Sequence, residues 1–217
     1  MQQRIHNGTE YFVSGDEPRI LLCSGIHGDE CGVVDSVCRF LEKEIDASFS
    51  YVYIPRVSPS AVARGTRVNK DGDDLNRCFL EHTHSSEARA AIDIIHQFKL
   101  RTCVSFHEDP IHTDFYLYDS GELEESRIEQ LRLCITALGV GLLNGVDDPD
   151  DPVLGHVFTD GYKSNIDTNQ LFGPLESWLV RSAGFVRVYG IEVPGELEQE
   201  KKDELVHALF KCLTQSI

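Results

Sequence analysis

The chain has 217 residues, 41% hydrophobic and 26% charged, which suits one globular domain, 1–217, with a substantial core. Its formal net charge is −16, so it lacks the basic excess that neutralises phosphates. That argues against nucleic acid and anionic membrane surfaces as partners, while leaving the substrate open, because a basic pocket can sit inside an acidic protein.

In chain order, apolar strand-like runs alternate with amphipathic helical patterns. Tyr11 to Val13 and Ile20 to Cys23 read as strands. From Asp29 to Glu44, residues Val33, Val34, Val37, Cys38 and Leu41 follow helical spacing. Tyr51 to Val57 is strand-like, and residues 58–83 read as a long polar loop. A helix with Ala88, Ala91, Ile92, Ile95 and Phe98 on one face follows, then a short strand from Thr102 to Phe106 and another from Phe115 to Tyr118. Ile128 to Leu138 marks a helix, Pro174 to Ser182 a short one, Val186 to Val193 a strand, and Leu205 to Leu213 a terminal helix. The alternation predicts an α/β sandwich with a mixed, largely parallel sheet. Asp147 to Asp151 reads as an acidic, solvated turn.

Met1 to His6 carries no apolar signal-peptide core. No apolar run approaches the ~20 residues of a membrane span. The seven cysteines are scattered without a Cys-x-x-Cys and read as thiols of a reducing compartment. The expectation is a cytoplasmic protein.

The stretch Gly25-Ile26-His27-Gly28-Asp29-Glu30 stands between a strand and a helical pattern. Imidazole and carboxylate are both good Zn²⁺ ligands, and Gly25 and Gly28 let the backbone bend so that both side chains converge. His-x-x-Glu alone is weak, and a turn with a surface carboxylate reads equally well. The pattern recurs by chance at His84 and Glu87, in a polar stretch. Open α/β sheets place ligands at the carboxyl ends of their strands. His27 and Glu30 follow one strand, His107 follows another, and Glu192 ends a third between apolar neighbours. Taken singly, His107 is a polar strand-end residue and Glu192 a paired or capping carboxylate that needs a partner or a raised pKa.

The segment from Arg64 to Arg77 ends in Asp74-Leu75-Asn76-Arg77. After a Gly-x-His-Gly-x-Glu turn, and with His107 and Glu192 in order behind it, this resembles the zinc carboxypeptidase superfamily. That group includes carboxypeptidase A-like metallopeptidases and the succinylglutamate desuccinylase/aspartoacylase branch. The resemblance spans residues 20–195 and implies a three-layer α/β/α sandwich of zinc carboxypeptidase type. It implies one Zn²⁺ per chain on His27, Glu30 and His107. Asn76 and Arg77 resemble the pair that grips a substrate carboxylate, and Asp74 the partner that orients His27. Arg64 resembles the arginine that stabilises an oxyanion, with Arg67 close enough to compete. Glu192 resembles the general base.

The chemistry suits these residue types. Zinc acidifies water, a carboxylate relays its proton to the leaving nitrogen, and a guanidinium fork fits a carboxylate as a lysine would not. The resemblance thus implies hydrolysis of an amide bond beside a free carboxylate. Carboxypeptidase-type activity on a peptide or peptide-like metabolite comes first, and amidoacylase activity on an N-acyl amino acid second. A non-catalytic carboxylate-binding protein is the third expectation. Two departures stand out: the chain is shorter than typical family peptidase domains, and no tyrosine sits where their lid tyrosine does, Tyr162 and Tyr189 being nearest. Glu108 and Asp109 follow His107 and could favour a basic substrate group or tune a metal. His112 could add a ligand, although a surface histidine reads as well.

Overall fold

The apolar runs of the sequence pack side by side as the centre of an eight-stranded sheet. The computed structural model describes residues 1–43, 50–148, 155–167 and 172–214. Its strands are β1 (Gln2–His6), β2 (Thr9–Ser14), β3 (Ile20–Ser24), β4 (Tyr51–Ile54), β5 (Thr102–Asp109), β6 (Tyr116–Asp119), β7 (Gly145–Val146), β8 (Val157–Phe158), β9 (Tyr162–Lys163) and β10 (Arg187–Pro194). The helices are α1 (Cys31–Lys43), α2 (Pro59–Arg64), α3 (Ser86–Ile95), α4 (Glu125–Ala137), α5 (Leu175–Arg181) and α6 (Gln199–Thr214). The sheet runs β1-β2-β4-β3-β5-β10-β6-β9, with β7 and β8 forming a separate small hairpin. The middle four strands, β4, β3, β5 and β10, are parallel, whereas β1, β2 and β6 join antiparallel. This is the predicted mixed, largely parallel α/β sandwich.

Side-chain alternation along the strands builds two cores. Leu22, Val104, Phe106, Ile191 and Val193 face α1, α4 and α6. Leu21, Cys23, Cys103 and Val188 face α3 and α5. Central parallel strands are covered on both faces, which is why their sequences read as unbroken apolar runs. Among the described residues no helix is long and apolar enough to cross a membrane.

The structure departs from the sequence reading in four places. The segment 58–83 is not all loop: it contains α2 and a tight 3₁₀ turn at Leu75–Arg77. Pro59 opens α2 and Gly65 closes it in the left-handed region, signals hidden among polar residues. The exposed edge strand β1 went unseen because its side chains touch no core. Strand β5 continues through Asp109, so His107 lies inside a strand and not beyond its end. Of the acidic turn, 149–151 lies outside the described residues, and Asp147 is buried, not solvated.

Candidate metal centre and active site

The turn after β3 is shaped by its glycines. Gly25 adopts φ +61°, a left-handed conformation that favours glycine. A Cβ on Gly28 would lie 1.9 Å from the Ala61 carbonyl oxygen, and the Gly28 amide donates to the Thr66 carbonyl at 2.9 Å. The turn is thus pressed against α2 and the loop behind it. His27 and Glu30 are thereby buried to 4% and 5% exposure.

The parallel pairing of β3, β5 and β10 brings His107 and Glu192 to the same sheet end. One donor atom from each of His27, Glu30 and His107 lies within 4.8 Å of the others. The two imidazoles are oriented alike. Each turns Nδ1 toward Glu30: His27 is in close contact with Oε1, and His107 lies 3.1 Å from Oε2. Each uses Nε2 to donate to a carboxylate, His27 to Asp74 at 3.1 Å and His107 to Glu176 at 3.0 Å. Fixing one ring nitrogen leaves the other free to ligate, which is how metal-binding histidines are oriented. Two imidazole nitrogens and a carboxylate oxygen, buried and convergent, fit a divalent metal of the zinc type.

The electrostatics are those of a site suited to a cation. Burial opposes charge on Glu30, but His107 and His27 outweigh it and hold the carboxyl near 2. Burial likewise opposes charge on both imidazoles, and their carboxylate partners overcome it, raising His27 and raising His107 further. Glu192 behaves oppositely. Burial, reinforced by Glu30 and Asp109 against the pull of His107, pushes it up to about 8.

Glu192 sits in register with His107 on one side and Tyr116 on the other. The site opens into a cavity of about 450 Å³ whose lining includes His27, Glu30, His107, Glu192, Tyr116 and Tyr118, with Arg67, Asn76 and Arg77 contributing from the loop. Asp74 caps the 3₁₀ turn by accepting from the Asn76 amide, and its other oxygen pairs with Arg67 at 3.0 Å. One carboxylate thus links His27 to a cavity-lining guanidinium. Asn76 Oδ1 accepts from the Leu175 amide at 2.8 Å, tying the turn to the start of α5.

Arg64 is not brought to this cavity. It is exposed at the end of α2, its guanidinium donating to the Asn69 carbonyl at 3.3 Å. Neither tyrosine considered as a lid lines it: Tyr162 donates to Asp119 at 2.6 Å, and Tyr189 is buried in the opposite core. The cavity's tyrosines are Tyr116 and Tyr118, whose hydroxyls donate to Asp109 and Asp147. Glu108 points to the other face, where it pairs with Lys202 at 2.7 Å and accepts from the Val33 amide. His112 bonds the Asp147 carbonyl at 2.5 Å and does not join the three-residue group. Glu87 accepts from Ser58 and from the Ser60 amide, apart from His84.

Glu176 is the site residue that sequence reasoning missed. It stands in the first turn of α5, about seventy positions beyond its partner, and only its place just after Pro174 gave any signal. Burial opposes its charge, but His107 and Ser105 hold it near 2.

Comparisons agree with this architecture. A Shewanella baltica protein titled a candidate metallopeptidase shares 21% identity and superposes with a TM-score of 0.80 over 100% of this chain and 87% of its own. Its Shewanella denitrificans counterpart gives 21% and 0.76 over 99% and 83%. An aspartoacylase family protein from Mesorhizobium loti gives 17% and 0.61 over 95% and 61%. At these identities the likeness establishes the fold. No protein of curated function matches the chain in sequence. The sequence model of the succinylglutamate desuccinylase/aspartoacylase catalytic domain matches residues 16–160, which carry His27, Glu30, the Asp74–Arg77 turn and His107. By fold, site and this match, the chain belongs to the succinylglutamate desuccinylase/aspartoacylase catalytic-domain family within the zinc carboxypeptidase-like superfamily.

Proposed function

We propose that the protein is a zinc-dependent hydrolase that cleaves an amide bond beside a free carboxylate, acting as a carboxypeptidase on a peptide or small peptide-like substrate. The observation that carries this reading is the position of Glu192. It lies on the strand next to His107, on the same sheet face, with its carboxyl raised to about 8 beside a convergent His-Glu-His group. One zinc held by His27, Glu30 and His107 would supply Lewis acidity and draw the pKa of water toward neutrality.

The remaining work falls to side chains of this chain. Glu192 takes a proton from the attacking water and returns it to the leaving nitrogen, a role for which a carboxyl tuned near working pH is suited. Arg67 presents positive charge to the oxygen that becomes negative as the carbonyl is attacked. Asn76 and Arg77 hold the substrate carboxylate, which fixes the scissile bond relative to Glu192. Asp74 and Glu176 hold the two imidazoles in one tautomer. The acidic surface charge of the chain directs this reading to small molecules, not to nucleic acid or membranes.

One observation favours a second reading. The matching family is that of succinylglutamate desuccinylase and aspartoacylase, whose names describe removal of an acyl group from an amino acid. An N-acyl amino acid offers the same amide and carboxylate to the same machinery. A screen of zinc-loaded protein against dipeptides of varied C-terminus and N-acyl amino acids separates the two. Release of a C-terminal residue supports the peptidase, and release of succinate or acetate supports the amidoacylase. No turnover of either, with zinc bound, overturns both in favour of a binding protein.

A further inference from the structure

A second group of ligand-bearing side chains lies outside the cavity, behind the turn that carries Asn76 and Arg77. One donor atom each of Asp73, Cys78 and His84 falls within 4.8 Å of the others. None of these residues belongs to the His27–Glu30–His107 group. His84 Nε2 lies 3.3 Å from Asp73 Oδ1. Cys78 is buried, and its thiol donates to the Asp74 carbonyl at 3.3 Å. We propose that Asp73, Cys78 and His84 form a second divalent-metal site, selective for a thiolate-accepting ion such as Zn²⁺, that braces the turn presenting Asp74, Asn76 and Arg77.

The backbone around the group is already fixed. Asn69 Oδ1 accepts the Asp73 amide at 2.9 Å, and Asn69 Nδ2 donates to the second Asp73 oxygen at 3.4 Å. The Cys78 amide closes the 3₁₀ turn onto the Leu75 carbonyl at 2.9 Å. On the far side, Arg89 donates to the Thr83 carbonyl at 3.3 Å, and Ser85 caps α3. His84 therefore hangs from an anchored backbone while its side chain remains 77% exposed. The exposed His84 side chain leaves the group open to an ion from solvent.

The donor types decide the ion. Mg²⁺ and Ca²⁺ want oxygen throughout, whereas a mixed sulfur, nitrogen and oxygen set suits zinc-like metals. Binding requires the Cys78 thiol to release its proton to solvent. Asp73 and Cys78 flank the four residues Asp74 to Arg77, so an ion joining them closes a ring around the turn. That turn orients His27 through Asp74 and lines the cavity through Asn76 and Arg77.

The test uses Co²⁺ as the probe, titrated into the metal-free full chain. The His-Glu-His site holds no sulfur, so a thiolate-to-cobalt charge-transfer band in the near ultraviolet that depends on Cys78 reports the second site, and the Cys78→Ala variant separates it from any band given by the other six free cysteines. The wild type is expected to bind two equivalents and to show the band. Cys78→Ala should bind one equivalent and lose it. His84→Ala, a change at an exposed side chain that leaves the fold intact, should weaken the band-forming step by at least the roughly 10–100-fold that loss of an outer partner alone costs. His27→Ala with His107→Ala should keep the band, so the outcome is independent of the hydrolase reading. Absence of the band at saturating Co²⁺, or its persistence unchanged in Cys78→Ala or His84→Ala, overturns the proposal.

Discussion

Glu176 Oε1 accepts from His107 Nε2 at 3.0 Å, across 69 positions of sequence. It mirrors Asp74, which accepts from His27 Nε2 at 3.1 Å across 47. Loss of such an outer partner typically lowers metal affinity 10–100-fold. Glu176→Gln should therefore weaken metal binding by about that factor, measured by competition with a chelator. Unchanged affinity would mean that the contact does not orient His107.

Glu192→Gln keeps the shape of the side chain and removes its basicity. Metal content and substrate KM should be nearly unchanged while kcat falls by roughly 10²–10⁴-fold. If Glu192 were instead a structural carboxylate, the same substitution would lower the melting temperature and spare the activity of the folded fraction. Measuring kcat, metal content and melting temperature on one preparation decides between them.

The arginines should separate cleanly. Arg64→Ala is expected to change kcat/KM by less than about twofold, because that exposed side chain lies outside the cavity and donates to the Asn69 carbonyl. Arg67→Ala should lower kcat by roughly 10²-fold if it opposes the developing oxyanion charge. Arg77→Lys should raise KM, since an ammonium cannot copy the fork. A large loss in Arg64→Ala with a normal Arg67→Ala would reverse the assignment.

Metal affinity should fall as pH is lowered. In the metal-free protein, neighbouring carboxylates overcome burial and raise both His27 and His107 above their ordinary value of 6.5. A raised imidazole holds its proton to higher pH, and a ligating imidazole must lose it. Proton competition thus begins above pH 6.5 and strengthens below it. Calorimetric titration in buffers of different ionisation enthalpy should show proton release that grows as pH falls. Binding without proton release at pH 6 would count against imidazole ligation.

Lys202 and Glu108 form a buried pair at 2.7 Å, with side chains 8% and 7% exposed. Removing one partner strands the other charge, so Lys202→Met should destabilise the fold by about 3 kcal/mol. That corresponds to a fall in melting temperature of roughly 6–12 °C for a chain of this size. Adding Glu108→Gln should restore most of it. Thermal unfolding of the single and double variants checks this, and a loss of metal with normal stability would point instead to a site role.

The sequence by itself determined what depends on local pattern. Continuous apolar runs forecast buried parallel strands, and helical spacing forecast α1, α3, α4 and α6. Gly25 and Gly28 forecast the turn that places His27 beside Glu30. The order of His27, Glu30, the Asp74–Arg77 turn, His107 and Glu192 was enough to suggest the family, because strand ends in a parallel sheet share one edge. Only the tertiary structure decided which distant groups meet. Glu176 joins the site because α5 packs over the face of β10 that carries Glu192. Glu108 leaves it because neighbouring residues of a strand point to opposite faces, which sends His107 to one side and Glu108 to Lys202. Arg67 lines the cavity and Arg64 does not, because α2 ends at Gly65 and the chain turns before reaching Arg67. Those outcomes rest on side-chain direction and on packing between elements far apart in the chain, which no local spacing encodes.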